Sequence, residues 1–237
     1  MSAAKVSVSE AVARAAEHSI REENRLIVRA YGFIPVTEHF LRDTVKQILH
    51  KFARPELAPA LSVILKELTV NAAKANFKKI FFAEHNIDVH NPEDYERGMR
   101  MFREAISEQM SSEYGRKAKQ ANLNVHASFD FDKDRFIIEI KNNLPMTPME
   151  ERRAREKLRQ AMQCTDMAEF MMENVDETEG AGLGLVLCLM ALRSSAIDPH
   201  LLTISTNYEN ETIARLEVPL HREYLPRRHR WRSPIAS

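Results

Sequence analysis

Two stretches of alternating apolar and polar residues, each folded back by a turn, interrupt a chain otherwise patterned at helical spacing. In the first, Leu123, Val125, Ala127 and Phe129 alternate with polar residues, Asp130-Phe131-Asp132-Lys133-Asp134 turns, and Phe136-Ile137-Ile138-Glu139-Ile140 follows. In the second, residues 201–208 and 212–219 are joined by a turn at Glu209-Asn210. Alternation sends successive side chains to opposite faces, so each stretch predicts a β-hairpin. The order is helices, hairpin, helix, hairpin. It predicts an α+β fold, a two-layer α/β sandwich with a mainly antiparallel sheet.

The helical segments are read from apolar spacing and from their punctuation. Residues 8–29 carry small, apolar and charged residues at helical spacing and predict one amphipathic helix. After a break at Tyr31-Gly32-Phe33-Ile34-Pro35, Thr37 caps a helix with Phe40, Leu41, Val45, Ile48 and Leu49 on one side. Arg54-Pro55-Glu56 ends it. A long helix from about 57 to 81 follows, apolar at Leu61, Ile64, Leu65, Leu68, Ala72 and Ala75. Asn91-Pro92-Glu93-Asp94 opens a further helix reaching about 120. A charged helix around 148–162 begins a long connection to Glu179, and an apolar helix runs from Leu183 to Ser194-Ser195. This divides the chain into an N-terminal helical extension (1–53), a central domain (54–222) and a basic tail (223–237).

Composition excludes several classes. There are 34 basic and 34 acidic residues, so no net field recruits nucleic acid or a membrane surface. No stretch approaches the roughly 20 apolar residues needed to span a bilayer, and the first ten residues lack the apolar core of a secretory signal. Cys164 and Cys188 belong to no CxxC or Cys/His cluster, which argues against a disulfide framework or structural zinc. A reduced, cytoplasmic protein is expected.

Three of the six glycines fall within five residues, in Gly180-Ala181-Gly182-Leu183-Gly184-Leu185. An apolar helix follows directly, so its free N–H groups and positive dipole end point at the loop, which suits a phosphate. Tight helix–sheet packing without a ligand is the alternative reading. The preceding residues are acidic, not an apolar strand, which disfavours a dinucleotide-binding turn. The absence of a following Lys-Ser/Thr disfavours a P-loop. On the long helix, Glu67, Asn71 and Lys74 fall at i, i+4 and i+7 and share one face. Such a stripe can be a solvated surface. It also offers a carboxamide for Mg²⁺, a carboxylate for a base and an ammonium for phosphate oxygens.

Together and in this order, Glu67-Leu68-Thr69-Val70-Asn71-Ala72-Ala73-Lys74 and Gly180-Ala181-Gly182-Leu183-Gly184-Leu185 resemble the N box and second glycine box of the GHKL superfamily. That group includes histidine kinase catalytic domains, anti-sigma-factor kinases, and gyrase-type and Hsp90-type ATPases. The resemblance covers about residues 55–220. It implies the Bergerat type of sandwich binding Mg-ATP, with Asn71 as the Mg²⁺ ligand and Glu67 as the candidate base. It also places Lys74 and the loop residues Thr178, Gly180, Gly182, Leu183 and Gly184 at the nucleotide. Where the family carries Asp-x-Gly-x-Gly, with the Asp on the adenine amino group, this chain has Asn142-Asn143-Leu144-Pro145-Met146. Asn142 would occupy the Asp position, accepting from the amine without a carboxylate's charge.

The expected function is Mg-ATP binding in the kinase branch, phosphorylating or switching a partner protein in signalling. The alternatives are a non-catalytic nucleotide-dependent module, dimerised through the helices of residues 8–52, and a slow stand-alone ATPase. His18 and His39 sit too near Asn71 in sequence for phosphoacceptors and read as surface histidines. Arg152, Arg153, Arg155, Lys157 and Arg159 read as a salt-bridged helix or as lid cations for a γ-phosphate. Met162, Met167, Met171 and Met172 suit either packing or a partner groove.

Overall fold

A computed structural model of the chain describes residues 10–23, 25–32, 35–106, 108–163 and 183–230. The elements are α1 (Glu10–Arg21), β1 (Leu26–Ala30), α2 (Pro35–Lys51), α3 (Ala58–Glu84), α4 (Pro92–Ala105), α5 (Glu108–Gln120), β2 (Val125–Phe131), β3 (Arg135–Asn142), α6 (Pro148–Gln163), α7 (Leu183–Ser194), β4 (Leu202–Thr206), β5 (Thr212–Pro219) and α8 (Arg227–Arg230). The five strands form one antiparallel sheet in the order β1-β2-β3-β5-β4. The architecture is α+β, with α2, α3 and α7 on one face of the sheet.

Alternation decides which face is covered. Ala127, Phe129 and Phe131 of β2, Phe136, Ile138 and Ile140 of β3, and Leu216 and Val218 of β5 point inward and are buried. They meet Val45, Ile48 and Leu49 of α2, Leu61, Ile64, Leu65 and Leu68 of α3, and Leu189 and Leu192 of α7. The outward positions are mostly polar, apart from Ile27, Ile137 and Ile213, and Glu139 there pairs with both Arg25 and Arg215. Both expected hairpins are present. The turn between β2 and β3 is closed by Asp132, whose Oδ1 accepts from the N–H groups of Asp134 at 2.8 Å and Arg135 at 3.0 Å.

Three expectations are corrected. Residues 8–29 are not one helix. The first helix stops at Arg21, Glu23 takes a left-handed φ of 54°, and Leu26–Ala30 becomes the edge strand β1, paired with β2 from Leu26↔Phe129 to Ala30↔Val125. The boundary at residue 53 therefore falls inside the sandwich, since β1 belongs to its sheet.

The helix expected from 91 to 120 is broken at Ile106, which is extended (φ −69°, ψ 122°). Phe102 and Tyr114 both pack on Phe81, with ring centroids 5.5 and 6.4 Å away. One straight helix would hold those two residues about 18 Å apart, so both can reach one ring only if the chain folds back. On α4, Gly98 allows the close approach to α3, because a Cβ there would lie 2.7 Å from Ile87 and 3.0 Å from Phe82.

The residues of the expected tail that the structure describes are fastened down. Tyr224 and the Arg227 N–H donate to Glu217 at 2.7 and 3.0 Å, His229 meets Asp198 at 2.9 Å, and Pro226 is buried.

Candidate functional site

The stripe on α3 connects two neighbouring helices. At its N-terminal end, Glu67 is half-buried against the first turn of α7. A Cβ on residue 184 would lie 2.3 Å from Glu67 Oε2 and 3.2 Å from its Cδ, so only glycine leaves the carboxylate its place. One turn further along α7, the buried Cys188 thiol is pushed up to about 12, first by burial and then by the negative charge of Glu67. The carboxylate thus lies along the Gly184–Cys188 face of α7, near a helix end that favours anions.

The stripe continues past Lys74. Lys78 is half-buried against Glu150 of α6 and forms an ion pair with it. Glu150 belongs to a capping box: Thr147 N–H and Oγ1 donate to its Oε2 at 2.8 and 3.1 Å, and Glu150 N–H donates back to Thr147 at 3.2 Å. Burial opposes the charge on both partners. The Glu150 charge nevertheless raises Lys78 above its ordinary value, while Lys78 and Thr147 hold Glu150 below the usual carboxylate range.

Between these anchors, Asn71 is exposed and Lys74 half-buried. Of the charged side chains of α3, Lys66 pairs with Glu38, Lys78 with Glu150, and Glu84 with Lys117. Glu67, Asn71 and Lys74 have no hydrogen-bond or ion-pair partner among the described residues. A carboxylate, a carboxamide and an ammonium are therefore left open on adjacent turns of one helix face.

Asn142 lies at the inward end of β3, 4% exposed, and its Nδ2 donates to Asn76 Oδ1 at 3.4 Å. Asn76 is completely buried on α3, and its Nδ2 has no partner among the described residues. Asn143 serves the backbone, accepting from the Asn124 N–H and donating to the Asn122 carbonyl, both at 2.7 Å. At the two positions where the resemblance calls for glycine, the Leu144 carbonyl accepts from Thr212 at 2.8 Å and the Met146 N–H donates to Thr206 at 3.1 Å. Neither residue takes a positive φ. The backbone here has no need of glycine.

Of the residues singled out from the sequence, the structure thus brings Glu67, Leu183 and Gly184 together. It leaves Asn71 and Lys74 open beside them and sets Asn142 against the far part of the same helix. Thr178, Gly180 and Gly182 lie outside the described residues, as do Cys164, Met167, Met171 and Met172. Arg155 pairs with Glu151 and Arg159 with Glu156 along α6, as in a salt-bridged helix. His18 and His39 are exposed, and His39 meets Asp43 at 3.2 Å.

Sequence reasoning missed Asn76, Lys78, Glu150 and Cys188. Lys78, at i+11 from Glu67, and the Thr147-Pro148-Met149-Glu150 box were both visible signals. Two surface concavities, one beside Tyr224 and one beside His90, touch neither Glu67, Asn71 nor Asn142.

The chain is similar to a protein of Treponema pallidum (strain Nichols) that carries the name "Uncharacterized protein". They are 33% identical over 180 residues, a stretch covering 76% of this chain and 35% of that protein. The chain thus spans about a third of the relative's length. No protein-family model matches the chain. No solved structure matches it. Among the described residues, no helix is long and apolar enough to cross a membrane.

Proposed function

We propose that this chain is a Mg-ATP-binding module of the histidine kinase-like ATPase type, acting on or regulated by a protein partner. One observation carries the reading: Glu67, Asn71 and Lys74 have no partner among the described residues on one face of α3, with the carboxylate seated against the first turn of the helix that follows the glycine cluster.

The donor set fits the group. Asn71 offers a neutral carboxamide oxygen for Mg²⁺ already held by phosphates. Lys74 and the free N–H groups of the first turn of α7 suit phosphate oxygens. Glu67 is placed to orient or deprotonate a hydroxyl or water. Bound Mg²⁺ would supply charge neutralisation on the phosphate chain. Nine residues on from Glu67, Asn76 lies on the opposite, sheet-facing side of α3, where it is completely buried beside Asn142.

A second reading is favoured by Asn142 and by the tied backbone at Leu144 and Met146: binding without turnover, with the nucleotide acting as a switch. Calorimetric titration with ATP, ADP and GTP, with and without Mg²⁺, tests the proposal. Saturable adenine nucleotide binding is expected, strengthened by Mg²⁺, and Asn71→Ala should abolish that strengthening while leaving metal-free binding. No saturable binding to any of the three overturns the proposal. Equal losses with and without Mg²⁺ remove Asn71 as the metal ligand.

A further inference from the structure

A second charged site lies on the other face of the sheet. Outward residues at the start of β3 and in β5 meet the segment that follows β5, enclosing a concavity of about 710 Å³ lined by Arg135, Arg215, Glu217, Tyr224, Arg227 and Arg230. Its floor is built around Glu217, which is 2% exposed. Glu217 Oε1 accepts from Tyr224 at 2.7 Å and from the Arg227 N–H at 3.0 Å, and Oε2 accepts from Arg215 at 2.8 Å. The two bonds to Oε1 hold the C-terminal segment on the sheet, and the one to Oε2 fixes Arg215 beside it.

The four guanidinium groups are not equally committed. Arg135 pairs with Asp130 at 3.3 Å and Asp132 at 3.2 Å, and Arg215 pairs with Glu139 at 3.4 Å as well as with Glu217. Arg227 and Arg230, three residues apart on α8, have no carboxylate partner among the described residues. Arg230 spends only its Nε, on the Leu225 carbonyl at 2.9 Å, and stands 5.6 Å from the centre of the Tyr224 ring. Two fork-shaped donors without a carboxylate partner among the described residues therefore line a concavity whose floor is already satisfied.

We infer that this concavity binds a phosphate monoester, its two negative charges taken by Arg227 and Arg230. A planar guanidinium matches two oxygens of a tetrahedral anion, and two such forks match a dianion better than a single carboxylate. The surroundings select a compact anion over a polyanion. Asp130, Asp132 and Glu139 flank the arginines along the sheet, and an extended nucleic-acid backbone would run into them. The site lies on the opposite face of the sheet from α3, so it is independent of the proposed nucleotide site.

The test is calorimetric titration of the full chain, at constant ionic strength, with inorganic phosphate, a phosphoserine peptide and glutamate. Wild type is compared with Arg227→Gln/Arg230→Gln and with Lys79→Gln/Lys119→Gln, which removes the same charge from exposed helix positions in the other layer. Phosphate should saturate the wild type and the lysine control, bind at least tenfold more weakly to the arginine variant, and outcompete glutamate. Asn71→Ala should bind phosphate as wild type does. A peptide that binds more tightly than phosphate identifies a phosphorylated partner side chain as the source, and one that binds no more tightly identifies a free phosphate monoester. Arg227→Lys/Arg230→Lys keeps the charge and loses the forks, so several-fold weaker binding is expected even if the glutamine pair loosens the segment. Absence of saturable phosphate binding overturns the inference. So does equal binding by the arginine and lysine variants, or glutamate binding as well as phosphate.

Discussion

Glu67 Oε2 occupies the space that a side chain at Gly184 would need: a Cβ there would come within 2.3 Å of it. The glycine in the first turn of α7 is therefore explained by a carboxylate on α3, and the two residues act as one unit. Gly184→Ala should displace Glu67 and cost about 1–3 kcal/mol of unfolding free energy, as overpacking does. Shortening the other partner should restore the space, so Glu67→Ala/Gly184→Ala is expected to be more stable than the sum of the single changes by about 1 kcal/mol. Urea denaturation of the four proteins measures this. Strict additivity would show that the two residues do not press on each other.

The amide pair at the end of β3 gives a second prediction. Asn142 donates to Asn76 Oδ1, while Asn76 Nδ2 is buried without a partner among the described residues. Asn142→Asp removes the donor, and Asn76 can then rotate its amide to offer that idle Nδ2 to the new carboxylate. A charge-assisted bond of about 1.5–3 kcal/mol offsets much of the cost of burying the charge. The single variant should therefore fold, whereas Asn142→Asp in an Asn76→Leu background should lose several kcal/mol. The same carboxylate should tighten adenine nucleotide binding if the position faces the exocyclic amine. A single and a double variant of equal stability would show that Asn76 does not support residue 142.

Stability should also depend on pH through Lys78 and Glu150. The folded state depresses Glu150 below its ordinary 4.5, so its contribution is present above 4.5 and is lost as the solution is acidified through the lower folded value. Lys78 is raised above 10.5, so its contribution is present below 10.5 and is lost as alkali takes the pH through the higher folded value. Between those limits, Lys78→Met should cost about 1–3 kcal/mol by leaving a half-buried carboxylate without its cation. Lys78→Met/Glu150→Leu should regain most of that loss and should flatten the acid limb of the profile. Guanidinium melts from pH 3 to 8 would show it, and an unchanged acid limb in the double variant would assign acid sensitivity elsewhere.

Much of this architecture was legible because it rests on local pattern. The two hairpins carry period-two alternation, α3 carries a long apolar stripe, and the charged run at 148–162 marks α6. What was missed depends on contacts between distant segments. β1 has five residues, too few for alternation to stand out beside the helical pattern that precedes it, and it is a strand because β2 offers it an edge. The break between α4 and α5 is imposed by Phe81, which Phe102 and Tyr114 both reach. The ordering of residues 221–230 depends on Glu217, an outward strand residue whose role shows only once Tyr224 folds over it. In the candidate site, the stripe of Glu67, Asn71 and Lys74 followed from spacing alone. The pairing of Asn76 with Asn142 required knowing where α3 crosses β3.

Glu67→Gln separates turnover from switching. The amide keeps the length and helix compatibility of the side chain and fits the same space beside Gly184, so the fold and the packing of α7 should persist. An amide cannot take a proton near neutral pH. If Glu67 is the base, the variant should bind Mg-ATP with wild-type affinity while hydrolysis or phosphotransfer falls by roughly 10²–10⁴-fold. Lys74→Met gives the contrast, because an ammonium holding phosphate should affect affinity together with rate. The pairing also guards against a purely structural role. A carboxylate present only to complement the N-terminal end of α7 would be worth about 0.3–1 kcal/mol of stability, and its loss would shift the melting curve without a selective effect on rate. Turnover at the wild-type rate in Glu67→Gln removes the residue from the chemistry. No turnover by the wild type, alone or with its partner, favours the switch, in which the carboxylate holds the start of α7 in position and nucleotide binding alone carries the signal.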